Sequence, residues 1–138
     1  MTAGGSLVDA AMILDGEVHL GARGPRVVAV LTRSAFEAWL DWVCEPWLDI
    51  RMGRPSTRSK LIVIKALYDD RMGDQAGRIW EGLSRACHQQ AYVLQPSVAE
   101  VRSLHVATTE LLSTRVARES GSNAPLEGRI YLEESTDA

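Results

Sequence analysis

The chain has 138 residues, a hydrophobic content of 46% and a formal net charge of −3 at neutral pH. This length fits one domain with a buried core, and the excess of acids excludes a protein that holds nucleic acid by an overall basic field. The chain starts without a basic segment, and no apolar run reaches the roughly 18 residues that a membrane helix needs. We therefore expect a cytoplasmic protein that does not contact a membrane.

The spacing of apolar residues predicts two helices in the first third of the chain. Apolar residues between 7 and 14 recur at intervals of three and four, which predicts a short first helix. Pro25 then stands where a helix needs no N–H donor, and a broad apolar stripe continues to 44. We predict one helix from about 25 to 44, ended by Pro46. The β-branched run Val27–Leu31 leaves open a strand followed by a shorter helix.

A loop rich in Gly, Pro and Ser follows and carries a dense run of positive charge. Arg51, Arg54, Arg58, Lys60 and Lys65 supply five positive charges, and no acid lies between 51 and 65. A solvated loop explains this run. The alternative is a patch that binds phosphate, nucleic acid or an acidic partner.

Two helices are predicted after this loop. The first begins at about 57–59 and ends near Gly73. Asp74 can then cap a second helix that runs to Leu94, and we expect this second helix to be the central one. Its glycines, Gly77 and Gly82, weaken the intrinsic helix propensity and predict that a neighbouring helix approaches closely there.

The last predicted helix begins at a capping box that starts with Ser97 and ends near Arg118. The residues beyond it are rich in Gly, Ser and Pro and end in acids, so a flexible tail is expected. The sequence thus predicts a helical-bundle domain over 1–118 and a flexible acidic tail over 119–138.

A candidate catalytic pair lies on the predicted central helix. Arg85 and His88 are three residues apart and share a helix face. Arg presents a fixed fork of donors to phosphate, and His exchanges protons near neutral pH. The pair therefore has the components of a metal-independent site for RNA cleavage. The alternative is an interhelical contact or a surface pair.

Tryptophans are concentrated near the end of the predicted second helix. Trp39, Trp42 and Trp47 exceed what one modest core needs, and exposed aromatic patches mark binding partners. We predict an interface there with a second copy of the chain or with another protein. The cysteines and histidines show no CxxC or HxxxH spacing, so we expect no metal and no other cofactor.

Three segments resemble the HEPN-like superfamily of small helical domains: PRVVAVLTRSAFEAWLDWV, RSKLIVIKAL and WEGLSRACHQQAYVLQPSVAEVRSL. The likeness covers roughly Gly24 to Leu112. It implies an all-α, HEPN-like bundle of about five helices. Active members of that superfamily are metal-independent ribonucleases that pair two Arg-x(4–6)-His motifs across a dimer. They occur in toxin–antitoxin, abortive-infection and CRISPR-linked systems.

The motif of the superfamily is incomplete in this chain. Counting from Arg85, the histidine is expected at 90, 91 or 92, where Gln90, Ala91 and Tyr92 stand. The resemblance therefore implies a non-catalytic binding or assembly module, a subunit of a bacterial defence or toxin–antitoxin type of system. Its expected partner is a second copy or another protein. The alternatives are a ribonuclease with an atypical Arg85 and His88 site, or an accessory subunit that binds RNA more than DNA.

Overall fold

The computed structural model describes residues 3–47, 53–88 and 95–122, with side chains as far as 114. These ranges contain five α-helices, two short 3-10 turns and no β-strand. The helices are α1 (Ala3–Leu14), α2 (Gly24–Cys44), α3 (Thr57–Leu67), α4 (Asp70–His88) and α5 (Val98–Ser122). The all-α prediction is confirmed, and the strand alternative at Val27–Leu31 is wrong. None of the described helices is long and apolar enough to cross a membrane.

The turn between α3 and α4 comes earlier in the chain than the sequence predicts. Helix α3 ends at Leu67 and α4 begins at Asp70, because Asp69 supplies the cap between them. Its Oδ1 atom accepts hydrogen bonds from the backbone N–H of Arg71 at 2.7 Å and of Met72 at 3.3 Å. A carboxylate that accepts first-turn N–H groups is a favoured way to begin a helix.

Asp74, the predicted cap, therefore lies inside α4 and has another role. Its Oδ1 atom accepts a hydrogen bond from Nζ of Lys65 on α3 at 2.9 Å, and this contact raises the pKa of the Lys65 ammonium group. The predicted end of this helix at Leu94 lies outside the described residues, which reach His88.

Helix α5 begins where the sequence predicts. The hydroxyl of Ser97 accepts a hydrogen bond from the backbone N–H of Glu100 at 3.1 Å. The helical backbone continues to Ser122, so the first four residues of the predicted tail are helical. The rest of the tail, 123–138, lies outside the described residues.

Helix α2, and not α4, is the central element of the bundle. It contacts each of the other four described helices. One buried cluster between α2, α3, α4 and α5 contains Phe36, Trp39, Leu40, Val43, Cys44, Ile64, Met72, Ala76, Ile79, Leu83 and Leu111. A second, smaller cluster at the other end of α2 contains Ala10, Val28, Ala29, Ala86 and Val101. The broad apolar stripe of α2 explains its place, because it has buried residues facing several neighbours.

Two polar side chains of α5 hold α1 against the bundle. Nε2 of His105 donates to the carbonyl of Leu7 at 2.9 Å. Nη2 of Arg102 donates to the carbonyl of Leu14 at 2.9 Å, and Nη1 lies 3.8 Å from the carboxylate of Asp15. A cation at a helix C-terminus satisfies otherwise unpaired carbonyls, so these contacts fix where α1 lies on α5.

Close helix approach occurs at two glycines of α4. A Cβ atom at Gly82 would lie 2.6 Å from Cδ2 of Leu104 on α5, as predicted for this position. The same prediction is wrong for Gly77, which has no neighbouring atom within 4 Å of such a Cβ. The other close approach is at Gly73, where a Cβ would lie 2.5 Å from Cβ and 2.7 Å from Cα of Lys65.

Candidate functional site

The structure brings His88 to a different arginine from the one that the sequence suggests. Nε2 of His88 lies 3.2 Å from Nη1 of Arg33 on α2. Arg85 is exposed one turn earlier on α4 and forms no hydrogen bond or ion pair with any described residue. A guanidinium only donates hydrogen bonds, so Nε2 of His88 accepts, and this contact requires a neutral imidazole.

Arg33 connects a small group of side chains between α2 and α4. Its Nε atom donates to Oε1 of Glu37 at 3.1 Å, and its guanidinium carbon lies 4.8 Å from the centre of the Trp80 ring. Stacking of this kind is a cation–π interaction. We name Arg33, Glu37, Trp80, Cys87 and His88 the Arg33 cluster. Because Glu37 already neutralises the guanidinium, an anion would have to compete with that carboxylate.

The thiol of Cys87 is the only sulfur in the Arg33 cluster, and it is half-buried. Burial raises the pKa of this thiol, Arg33 lowers it and Glu37 raises it again, and the net pKa is higher than usual. The thiolate is the nucleophile in cysteine chemistry. The cluster therefore does not activate Cys87 at neutral pH.

We expect Cys87 to be alkylated more slowly by iodoacetamide in the folded protein than in urea at the same pH. The midpoint of the pH–rate profile, followed by mass spectrometry of the Cys87 peptide, should lie higher in the folded chain. Glu37→Gln should lower that midpoint, because it removes a charge that raises the pKa. A folded midpoint at or below the unfolded one would contradict the expectation. The raised pKa also means that the thiol's contribution to stability is lost as the pH rises through the folded value.

Two of the five predicted patch residues are neutralised by acids from other helices. Lys60 forms an ion pair with Asp41 on α2, and Lys65 forms one with Asp74 on α4. The run 51–65 contains no acid, but the fold supplies acids from elsewhere in the chain. Counting charges along the sequence therefore overstates the positive field at this surface.

The other three patch residues are arginines. Arg54 and Arg58 are exposed in the loop and the first turn of α3, and Arg51 lies outside the described residues. Each phosphate contact contributes separately to affinity and to its salt dependence. Among the described residues, a nucleic acid would thus meet two unneutralised charges of this patch.

The three predicted interface tryptophans have different surroundings. Trp39 is only 4% exposed and packs in the core, so it offers little surface of its own to a partner. Trp42 and Trp47 are 44% and 46% exposed. The indole N–H of Trp47 donates to the hydroxyl of Tyr68 at 3.3 Å, and that hydroxyl donates to the carbonyl of Val43 at 3.1 Å. The side chain of Trp42 instead lines an apolar groove.

An open groove runs between the N-terminal half of α1, the C-terminal half of α2 and the second half of α5. Its volume is about 490 Å³. The lining is mostly apolar, with small residues between larger ones: Ala3, Gly4, Leu7, Ala38, Trp39, Trp42, Thr109, Leu112 and Ser113. We name it the Trp42 groove. A concave apolar surface with an exposed Trp at its edge is a typical binding feature.

The described residues contain no group of three or more His, Cys, Asp or Glu side chains that could hold a metal ion. Cys44 is buried, and its thiol contacts the carbonyl of Lys60 at 3.6 Å. His105 is occupied at the carbonyl of Leu7. Cys44 and His105 thus make separate contacts within the fold and do not meet at a common site.

Comparisons with protein-family models, with curated proteins and with solved structures returned no match to this chain. The resemblance to the HEPN-like superfamily therefore stays a prediction from the sequence.

Sequence reasoning missed both Arg33 and the Trp42 groove. A signal for Arg33 is present, because Arg33 and Glu37 are four residues apart on a predicted helix. Nothing in the sequence indicates that this helix face meets His88. The groove has a weaker signal, since its small residues come from three distant segments and only the packing of α1 on α5 brings them together.

Proposed function

We propose that this chain is a non-catalytic helical assembly module that binds a protein partner through the Trp42 groove. The observation that carries the proposal is the groove itself, an open apolar concavity of about 490 Å³ with Trp42 44% exposed at its edge. Aromatic side chains that reach solvent beside an apolar pocket are enriched among the residues that dominate protein interfaces. The HEPN-like resemblance extends the proposal to a subunit of a bacterial defence or toxin–antitoxin type of system.

The Arg33 cluster supports the non-catalytic part of the proposal. General acid–base cleavage of RNA needs a proton acceptor and a donor in reach of the reacting oxygens. Here the acceptor nitrogen of His88 is occupied by Arg33, the guanidinium is paired with Glu37, and the Cys87 thiol has a raised pKa. Within the Arg33 cluster, His88 and Arg33 thus already have partners, and the raised pKa keeps the Cys87 thiol protonated at neutral pH.

Binding through the groove predicts that two exposed tryptophans respond differently to substitution. The protein would be co-expressed with the products of its neighbouring genes, one at a time, and purified by a tag. We expect Trp42→Ala to reduce co-purification of a partner by about 10-fold, equal to 1.4 kcal/mol. The control Trp47→Ala removes an equally exposed indole outside the groove and should keep the partner. Equal losses in both variants would contradict the proposal.

A metal-independent ribonuclease is the second candidate, and one contact favours it. Arg33 and His88 place a guanidinium and an imidazole 3.2 Å apart at the surface, and these are the groups that bind a phosphate and move a proton. In this second candidate, Arg33 takes the role that the sequence predicts for Arg85.

We expect no RNA turnover, or very weak turnover, by the wild-type protein, measured with a fluorescent single-stranded RNA. Turnover that is abolished by His88→Ala and by Arg33→Ala, and kept by Cys87→Ala, would establish the second candidate instead. Arg85→Ala distinguishes the two possible sites, because only the site that the sequence predicts, Arg85 with His88, requires Arg85. Turnover that survives all four substitutions would come from another site or from a contaminant.

A further inference from the structure

We infer that the partner segment in the Trp42 groove is a basic amphipathic helix, an inference that rests on the proposed function. The helix segments that build the groove are acidic. Residues 3–14, 34–45 and 103–114 contain five acids and neither Lys nor Arg. The bases that directly flank these segments are Arg33, which is paired with Glu37, Arg102, which contacts the Leu14 carbonyl and Asp15 at the end of α1, and Arg115, whose side chain lies outside the described ones.

Three of these five acids remain unneutralised. Glu37 is paired with Arg33, and Asp41 is paired with Lys60. The other three are exposed and form no ion pair with a described residue; they are Asp9, Glu45 and Glu110. These segments thus line the groove with mostly apolar side chains, and the charged side chains that they carry are acids. A partner with the opposite charge gains both association rate and specificity.

The shape of the groove favours a helix that offers large apolar side chains. Small residues, Ala3, Gly4 and Ala38, leave space between the larger Leu7, Trp42 and Leu112. A helix that lies in such a groove inserts apolar residues spaced three and four apart. Its flanking positions would then be within reach of Glu45, three residues after Trp42, and Glu110, next to Thr109 of the groove lining, where Lys or Arg is complementary.

A second copy of the chain is a poorer occupant of the same groove. In a symmetric dimer, the same surface meets itself. The acidic segments of one copy would then face the acidic segments of the other, and opposed like charges weaken such an interface. Charge complementarity therefore favours a different protein as the partner.

The test uses the full chain and three synthetic peptides, measured by fluorescence anisotropy. The basic peptide is LKKLLKLLKKLLKL; the acidic peptide has Glu in place of every Lys; the third has the basic composition in an order without an apolar face. We expect the basic peptide to bind at least about 10-fold more tightly than either of the others. Glu45→Gln with Glu110→Gln should weaken it and reduce its salt dependence, whereas Glu100→Gln, at the other end of α5, should not.

Substitutions in the groove separate specific docking from attraction to an acidic protein. Trp42→Ala should weaken the basic peptide by about 10-fold, equal to 1.4 kcal/mol, and Trp47→Ala by less than about 2-fold. Ala38→Leu, which fills the groove, should also weaken it, whereas Ala66→Leu on the exposed side of α3 should not. Sedimentation velocity of each variant shows whether it stays folded and whether it self-associates.

Three results would overturn the inference. The acidic or the reordered peptide could bind as tightly as the basic one, or Trp42→Ala and Trp47→Ala could weaken binding equally. A dimer that Trp42→Ala dissociates and that the basic peptide displaces would show that a second copy occupies the groove. If the control peptides bind as tightly, or a second copy occupies the groove, and binding still depends on Trp42, the basic-helix inference fails but the proposed function remains. If no binding depends on Trp42, the inference and the proposed function both fail.

Discussion

Replacing Phe36 with Ala is expected to lower the free energy of unfolding by about 3–5 kcal/mol. The side chain has no exposed surface and lies where α2 meets α4, with its ring centre 5.8 Å from that of Trp39 and 6.0 Å from that of Trp80. Alanine would leave a cavity between these rings, which the surrounding helices could close only in part. Because native domains are stable by roughly 5–15 kcal/mol, this variant should be close to unfolding at 37 °C.

The matched control for Phe36→Ala is Val30→Ala on the same helix. Val30 is 49% exposed, and exposed substitutions change stability by about 0.5 kcal/mol or less. The free energies of unfolding of both variants would be measured by urea unfolding followed by far-UV circular dichroism. A cost for Phe36→Ala near that of the control would mean that α2 and α4 do not pack through this ring.

Gly73→Ala is expected to destabilise the fold by about 1–3 kcal/mol or more. The new Cβ would lie 2.5 Å from Cβ and 2.7 Å from Cα of Lys65. Both atoms belong to the root of the Lys65 residue and not to a flexible end, so α3 and α4 would have to move apart. That movement would also lengthen the Lys65–Asp74 ion pair. The gain in helix propensity of about 1 kcal/mol offsets only part of the cost.

Gly77→Ala is the control for this prediction and should change the free energy of unfolding in the opposite direction. The position is one turn further along α4, and no atom lies within 4 Å of an added Cβ. Alanine should therefore stabilise the protein by up to about 1 kcal/mol. Equal effects at Gly73 and Gly77 in urea unfolding would contradict the close crossing of α3 and α4.

The sequence predicts the helices well because local signals define them. The apolar stripe of α2, the cap at Ser97 and the end of α2 near Pro46 are all readable without neighbours. The sequence alone misplaces the boundary between α3 and α4, because Asp69, Asp70 and Asp74 are all possible helix caps. Only tertiary packing decides among them, since Asp74 is needed at Lys65.

The candidate sites are less predictable because they join distant parts of the chain. His88 contacts Arg33 across 55 residues, and a spacing rule along one helix cannot detect such a contact. The ion pair of Lys60 is invisible in the charge run 51–65 because its acid, Asp41, lies on another helix. Trp39 and Trp42 are three residues apart on one helix, yet one is buried and the other borders the groove.

Fluorine NMR of the protein labelled with 5-fluorotryptophan reports directly whether a peptide docks in the Trp42 groove. The chain has four Trp residues, so four resonances are expected, each assigned by a Trp→Phe substitution. On addition of the basic peptide, we expect a shift of the Trp42 resonance, a smaller shift of the resonance of Trp39 in the groove wall, and none of the Trp47 resonance. A shift of Trp47 while Trp42 stays unchanged would contradict docking in the Trp42 groove.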